Sequence, residues 1–182
     1  MTTDIVFQSF RKIPRLYRDV VVTEKLDGTN GQIIITDDGR VAAGSRNRLL
    51  TIEDDNFGFA AWVHANEDAL VRYLGPGRHY GEWVGKGIQR GYGMDNRRFA
   101  LFNPRWGYGP ELEDPGVCTI VPVLWTGNLK YMNVPATLEF LREHGSSFAP
   151  FMDPEGIVIT HAASGTLFKV TIEGDDLWKA PT

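Results

Sequence analysis

Val22-Thr23-Glu24-Lys25-Leu26-Asp27-Gly28-Thr29-Asn30-Gly31 is the stretch around which the chain is organised. The β-branched run before it (Val20 to Thr23) predicts a strand, and Gln32-Ile-Ile-Ile-Thr36 predicts the next. One lysine stands between them, followed by an acid, two glycines and an asparagine. Gly28 and Gly31 allow either a turn with positive φ or close backbone approach. A lysine at the mouth of such a loop becomes a nucleophile when desolvation or nearby cations destabilise its ammonium. Taken alone, the same residues fit an ordinary hairpin with a solvated lysine.

Working outward, Asp37-Asp38-Gly39 predicts a turn into the strand Arg40–Gly44, and Ser45-Arg46-Asn47-Arg48 a polar loop. Asp54-Asp-Asn56 is expected to cap a helix over Phe57–Leu74, with Phe59, Trp62, Val63, Leu70 and Leu74 inward. Gly75-Pro-Gly77 ends it. Arg78–Gly85 predicts a strand carrying Glu82, followed by a glycine-rich basic loop over Lys86–Gly93 that could be mobile and touch a nucleic-acid backbone. Further strands are expected at Arg98–Asn103, Cys118–Trp125, Ile157–Thr160 and Thr166–Ile172, with a long loop over 103–116. Asn133-Val-Pro135 opens a second helix with Leu138 and Leu141 inward, ending at His144-Gly145. The sum is α+β, mainly antiparallel, with flanking helices.

Composition narrows the classes. A chain of 182 residues fits one domain over 1–182 and buries enough surface to need no disulfide or metal for stability. The lone Cys118 excludes a disulfide framework and a multi-cysteine zinc site, and the four histidines show no ligand spacing. No apolar run matches a membrane span, and Met-Thr-Thr-Asp-Ile lacks the regions of a signal peptide, so a cytoplasmic protein is expected. A monomer is expected as well. With net charge −4, any polyanion contact must come from local cations: Arg46 and Arg48, then Lys86, Arg90, Arg97 and Arg98.

Six segments stand in a telling order: Lys25-Leu-Asp-Gly28, Ser45-Arg46, Gly81-Glu82, Phe99–Phe102, Glu155-Gly-Ile-Val158 and Lys169. The series resembles the collinear motifs of the covalent nucleotidyltransferases, the superfamily of ATP-dependent ligases and capping enzymes. Gly28-Thr29-Asn30 after the lysine looks most like the RNA ligases of the RNA ligase 2 branch; DNA ligases and capping enzymes carry Gly-x-Arg there. Arg11-Lys-Ile-Pro14 and Gly81–Gly93 are similar to RNA ligase sequences too, so the resemblance spans about residues 7 to 172.

The resemblance implies an ATP-grasp-like adenylylation fold and a reaction. Lys25 would attack the α-phosphate of ATP to give lysyl-AMP, and the AMP would pass to a 5′-phosphate before attack by a 3′-hydroxyl. An unperturbed lysine, near pKa 10.4, is almost fully protonated at neutral pH, so Lys169, Arg46 and bound Mg²⁺ or Mn²⁺ are the cations expected to help it. Matching positions would make Arg46 a phosphate or ribose contact and Glu82 the acceptor for ribose hydroxyls. Phe102 would stack on adenine, Glu155 would hold the divalent metal, and Lys169 would touch the α-phosphate. Asn30 would act in the later steps, and Glu24 joins the nucleotide-binding set. Asp27 has no assigned task beyond orienting its loop. The implied partner is RNA, as free ends, a nicked duplex or a broken loop.

Two departures stand out. The last motif of the family carries two lysines, whereas this chain has Leu167-Phe168-Lys169, leaving Lys179 or an arginine to replace the missing charge. The sequence also ends soon after this motif, which predicts a bare adenylylation domain with no C-terminal OB or helical domain. Alternative readings are a DNA ligase or capping-type enzyme on the same fold, and an inactive module that binds nucleotide or RNA.

Overall fold

The computed structural model describes residues 6–10, 12–102 and 117–173. Two sheets face one another. Sheet A contains β1 (Asp19–Lys25), β8 (Val123–Asn128), β9 (Gly156–His161) and β10 (Thr166–Thr171) in the order β10-β9-β1-β8. Sheet B contains β2 (Thr29–Ile35), β3 (Val41–Gly44), β4 (Leu49–Leu50), β5 (Gly77–Gly85), β6 (Arg97–Leu101) and β7 (Cys118–Ile120) in the order β4-β3-β2-β5-β6-β7. All pairings are antiparallel except β6 with β7.

The central motif is therefore not a hairpin. β1 and β2 belong to different sheets, and Leu26-Asp27-Gly28 carries the chain from one to the other. The expected strand over Cys118–Trp125 is likewise two strands. Pro122, which has no N–H for a ladder, marks the return crossing from sheet B to sheet A. The crossings touch: the Glu24 N–H donates to the Pro122 carbonyl at 2.9 Å.

Strand alternation assigns the faces. Val20 and Val22 of β1 and Ile157 and Ile159 of β9 pack on Leu138 and Leu141 of helix α3 (Val134–His144). Ile33, Ile35, Trp83, Phe99 and Leu101 of sheet B pack on helices α1 (Phe59–Ala65) and α2 (Glu67–Leu74). Phe59, Trp62, Trp83 and Phe99 form an aromatic cluster there, with centroid separations of 5.0 to 6.1 Å. Leu26, Val84, Tyr92, Ala100 and Val121 fill a third cluster.

The single helix expected over Phe57–Leu74 is two. Asn66 interrupts it, its side-chain amide donating to the Trp62 carbonyl at 2.7 Å, the local competition that asparagine offers a helical backbone. Phe57 and Gly58 have positive φ, so α1 starts at Phe59, with the Asp55 carboxylate accepting from the N–H groups of Ala60 and Ala61. α3 begins as expected, capped by Asn133, whose Oδ1 accepts from the Ala136 N–H.

Residues 86–93 are packed rather than loose. Ile88 and Tyr92 are fully buried, and a 3₁₀ turn covers Gly91–Gly93. Cys118 is buried in the core beneath sheet B. The loop expected over 103–116, Arg11 and Lys179 lie outside the described residues. Among the described residues no helix is long and apolar enough to cross a membrane.

Candidate active site

A cleft of about 570 Å³ opens between the two sheets. That volume suits a small-molecule ligand. Sheet A lines it with Thr23 and Lys25 of β1, Val158 and Thr160 of β9, and Leu167 and Lys169 of β10; sheet B lines it with Asn30 and Glu82, joined by Arg46 from the loop after β3 and Phe102 just after β6. On β9 the residues between, Ile157 and Ile159, face α3, so one period-2 pattern serves core and cleft together.

Lys25 closes β1 opposite Gly156 of β9. That register brings its ammonium onto the carboxylate of Glu155, with which it forms an ion pair. Both side chains are about one-fifth exposed, at 23% and 19%. Lys169 pairs in register with Val158, which pairs with Thr23, so it shares the face that Lys25 terminates. It is exposed, as is Arg46, whose guanidinium makes no hydrogen bond or ion pair with other described residues.

Glu82 faces Asn30 across β5 and β2. Its carboxylate accepts from the Gly28 N–H at 3.2 Å and from Asn30 Nδ2 at 3.1 Å. Burial pushes its carboxyl up to about 7; the nearby Lys25 and the Gly28 N–H act the other way. Phe102 follows β6, half-exposed on the cleft, its N–H donating to the Tyr80 carbonyl at 2.9 Å.

Glu24 departs from the expected set. It precedes Lys25 by one residue, so its side chain takes the opposite face of β1, with Val20 and Val22. The residue borders the cleft, but its carboxylate accepts from Ser146 Oγ (2.6 Å) and the Ser147 N–H (2.8 Å), anchoring the segment after α3. Burial raises its carboxyl above the ordinary range, against those hydrogen bonds.

Asp27 acquires a task. Its Oδ2 accepts from Arg90 Nε at 3.1 Å, and its N–H donates to the buried Tyr92 hydroxyl at 2.9 Å. Arg90 also pairs with Asp153 at 2.6 Å. Residues 25 and 27 are thus tied to residues 155 and 153, the second tie running through Arg90. The sequence marks Arg90 only as a local cation and Tyr92 not at all; their glycine-rich surroundings suggest a free loop.

Three of the six expected local cations are taken up by local partners. Arg48 pairs with Asp54, Arg90 with Asp27 and Asp153, and Arg97 donates to the carbonyls of Lys86 and Phe57. Arg46 is the member that lines the cleft.

Gly28 and Gly31 serve close approach, since neither has positive φ. A Cβ on Gly28 would lie 2.4 Å from the Trp83 carbonyl oxygen, and one on Gly31 would lie 2.8 Å from the rings of Phe59 and Phe99.

A family model for RNA ligases matches residues 18–171, from the first residue before β1 to the end of β10. The chain belongs to the RNA ligase family. Its fold matches that of the Naegleria gruberi RNA ligase. One mutant of that protein, solved with ATP and Mn, superposes with a TM-score of 0.64 at 20% identity, covering 87% of this chain and 51% of the other. A second mutant, with AMP and Mn, gives 0.62 at 21% identity over 86% and 50%. The ligase with PPi gives 0.59 at 22% identity over 84% and 49%. The chain spans about half the length of these structures. No curated protein matches the sequence.

For a divalent metal, the oxygen chemistry of Glu155 is the test. Among the described residues no group of three or more His, Cys, Asp or Glu could hold an ion. Mg²⁺ commonly takes one or two carboxylates together with phosphate oxygens and waters. Glu155 fits a metal that arrives with a nucleotide.

Proposed function

We propose that this RNA ligase family member captures AMP from ATP on Lys25 and uses it to join a 5′-phosphate to a 3′-hydroxyl of RNA. The observation that carries the reading is the placement of Lys25 and Glu155 as an ion pair on a cleft whose other walls supply Glu82, Phe102, Arg46 and Lys169. The ATP, AMP and Mn of the Naegleria ligase structures support the choice of nucleotide and of a divalent metal.

In the first step the Lys25 Nζ lone pair attacks the α-phosphorus. A P–N bond forms, the bond to the bridging oxygen breaks, and pyrophosphate leaves. Lys169 and Arg46 offset the charge that builds on the phosphate, in a cleft where fixed cations need no reorganisation. Glu82 accepts from ribose hydroxyls, and Phe102 stacks on adenine. A divalent ion held at Glu155 would supply further charge neutralisation. Next, an oxygen of the RNA 5′-phosphate attacks the AMP phosphorus, the P–N bond breaks, and Lys25 regains its amine. Attack of the 3′-hydroxyl on the activated 5′-phosphate then expels AMP. Asn30, held by Glu82 beside the same cleft, is placed in these later steps. Joining broken RNA ends is a repair reaction, and we place it in the cytoplasm with the chain acting as a monomer.

Intact-mass measurement after incubation with ATP and Mg²⁺ tests the covalent step. A mass gain of one AMP is expected on the native chain and none on Lys25→Ala; an adduct that survives the substitution refutes the mechanism. A panel of labelled ATP and GTP, followed by RNA and DNA ends, separates this reading from a capping-type or DNA-joining enzyme.

A further inference from the structure

A second cavity of about 330 Å³ adjoins the cleft on sheet B and shares Asn30, Arg46 and Phe102 with it. The nucleotide-capture step assigns no role to the residues peculiar to this cavity, among them Gln32 and Tyr80. Strand register explains how they meet. Gln32 of β2 pairs with Tyr80 of β5, and Tyr80 is joined through its carbonyl to the Phe102 N–H. Gln32, Tyr80 and Phe102 therefore form one row across the open face of the sheet, next to the row that holds Asn30 and Glu82. Arg78 follows two residues before Tyr80 on the same face, opposite Ile34, and is exposed.

Tyr80 is 53% exposed and Phe102 37%. Two exposed aromatic rings on an open sheet face, flanked by Arg46 and Arg78, match the chemistry of single-stranded nucleic acid: rings for bases, guanidinium groups for phosphates. Arg46 lines both cavities, which puts a phosphate ligand at their junction. A base on Tyr80 and its phosphate on Arg46 would present that phosphate to the cleft that holds Lys25.

We infer that the smaller cavity binds the terminal nucleotide of a 5′-phosphorylated RNA strand, with Tyr80 as the base platform. The inference rests on the proposed function and adds the site at which the second substrate enters. Gln32, beside the ring, offers one amide donor and one acceptor to a base edge.

The test uses the full chain with a short single-stranded RNA carrying a 5′-phosphate, its affinity read by fluorescence anisotropy. Tyr80→Ala and Tyr80→Leu are each expected to weaken binding roughly tenfold or more, the scale of one lost base–aromatic stack. Tyr80→Phe is expected to bind like the native chain. The AMP mass gain on Lys25 is expected to be unchanged in all three, which also reports that they fold. Equal RNA affinity in native chain and Tyr80→Leu overturns the inference, as does equal weakening in Tyr80→Phe and Tyr80→Leu. Failure of the native chain to take AMP, with RNA binding still dependent on the Tyr80 ring, overturns the ligase reading and leaves the RNA site standing.

Discussion

Lys25 and Glu155 meet as an ion pair where β1 ends and β9 begins, so the proposed nucleophile and the proposed metal ligand are held by one strand register. Attack by Lys25 requires its ammonium to leave this partner and lose a proton. Under the proposed mechanism Glu155 would hold the divalent ion, and a carboxylate so engaged would no longer pair with Lys25. Glu155→Gln should therefore slow AMP capture by roughly ten- to a hundredfold and raise the Mg²⁺ concentration needed for half-maximal rate. Single-turnover kinetics across a Mg²⁺ series measures both.

Glu82 gives a pH signature. Its folded-state value near 7 lies above the ordinary 4.5. A raised carboxyl contributes stability that is fully present below about pH 4.5 and lost as pH rises through about 7. The span amounts to about 3 kcal/mol at most. Glu82→Gln should gain stability relative to the native chain as pH rises from 5 to 8, read by denaturant titration at each pH. Ribose hydroxyls favour the ionised acceptor, so nucleotide binding near pH 7 should release protons, measurable calorimetrically in buffers of different ionisation enthalpy.

The tie from Asp27 through Arg90 to Asp153 should be mainly positional. Asp27→Ala removes one partly buried charge-assisted hydrogen bond and should cost about 1 to 2 kcal/mol, a fall in Tm of about 2 to 8 °C. Lys25 should still take AMP. Thermal unfolding and intact mass together check this.

Gly28→Ala should be more damaging than its size suggests, because the added carbon meets the Trp83 backbone. A loss of about 1 to 3 kcal/mol is expected, with impaired AMP capture, since the shift acts between Lys25 and Asn30.

Leu167 stands on the cleft face of β10, 62% exposed, where the family pattern has a lysine. Leu167→Lys should fold normally and speed AMP capture on the order of tenfold, equivalent to about 1.4 kcal/mol off the barrier. A rate equal to that of the native chain would show that the missing charge is supplied elsewhere.

Most of the candidate site was legible in the sequence through the resemblance of its ordered motifs to the RNA ligases, and the structure brings those residues together. Lys25, Asn30, Arg46, Glu82, Phe102 and Lys169 line one cleft, with Glu155 on its lysine. Pairing partners were not legible. Two apolar runs around a glycine-containing loop look the same whether the strands pair with each other or enter separate sheets, so the crossing at Leu26–Gly28 resembles a hairpin. Parity could have warned about Glu24, since neighbours on a strand face opposite ways. Tyr92 was hidden because its burial depends on Leu26, Val84 and Ala100, which are distant in sequence. The break at Asn66 was masked by apolar periodicity that continues across it.

The paired crossings give the molecule a neck. The chain leaves sheet A after Lys25, builds the whole of sheet B, and returns at Val123, which pairs with Thr23 of the strand it left. In the proposed reaction a nucleotide bonded to Lys25 would hang from this neck, its phosphate beside sheet A and its base reaching Phe102 at the edge of sheet B.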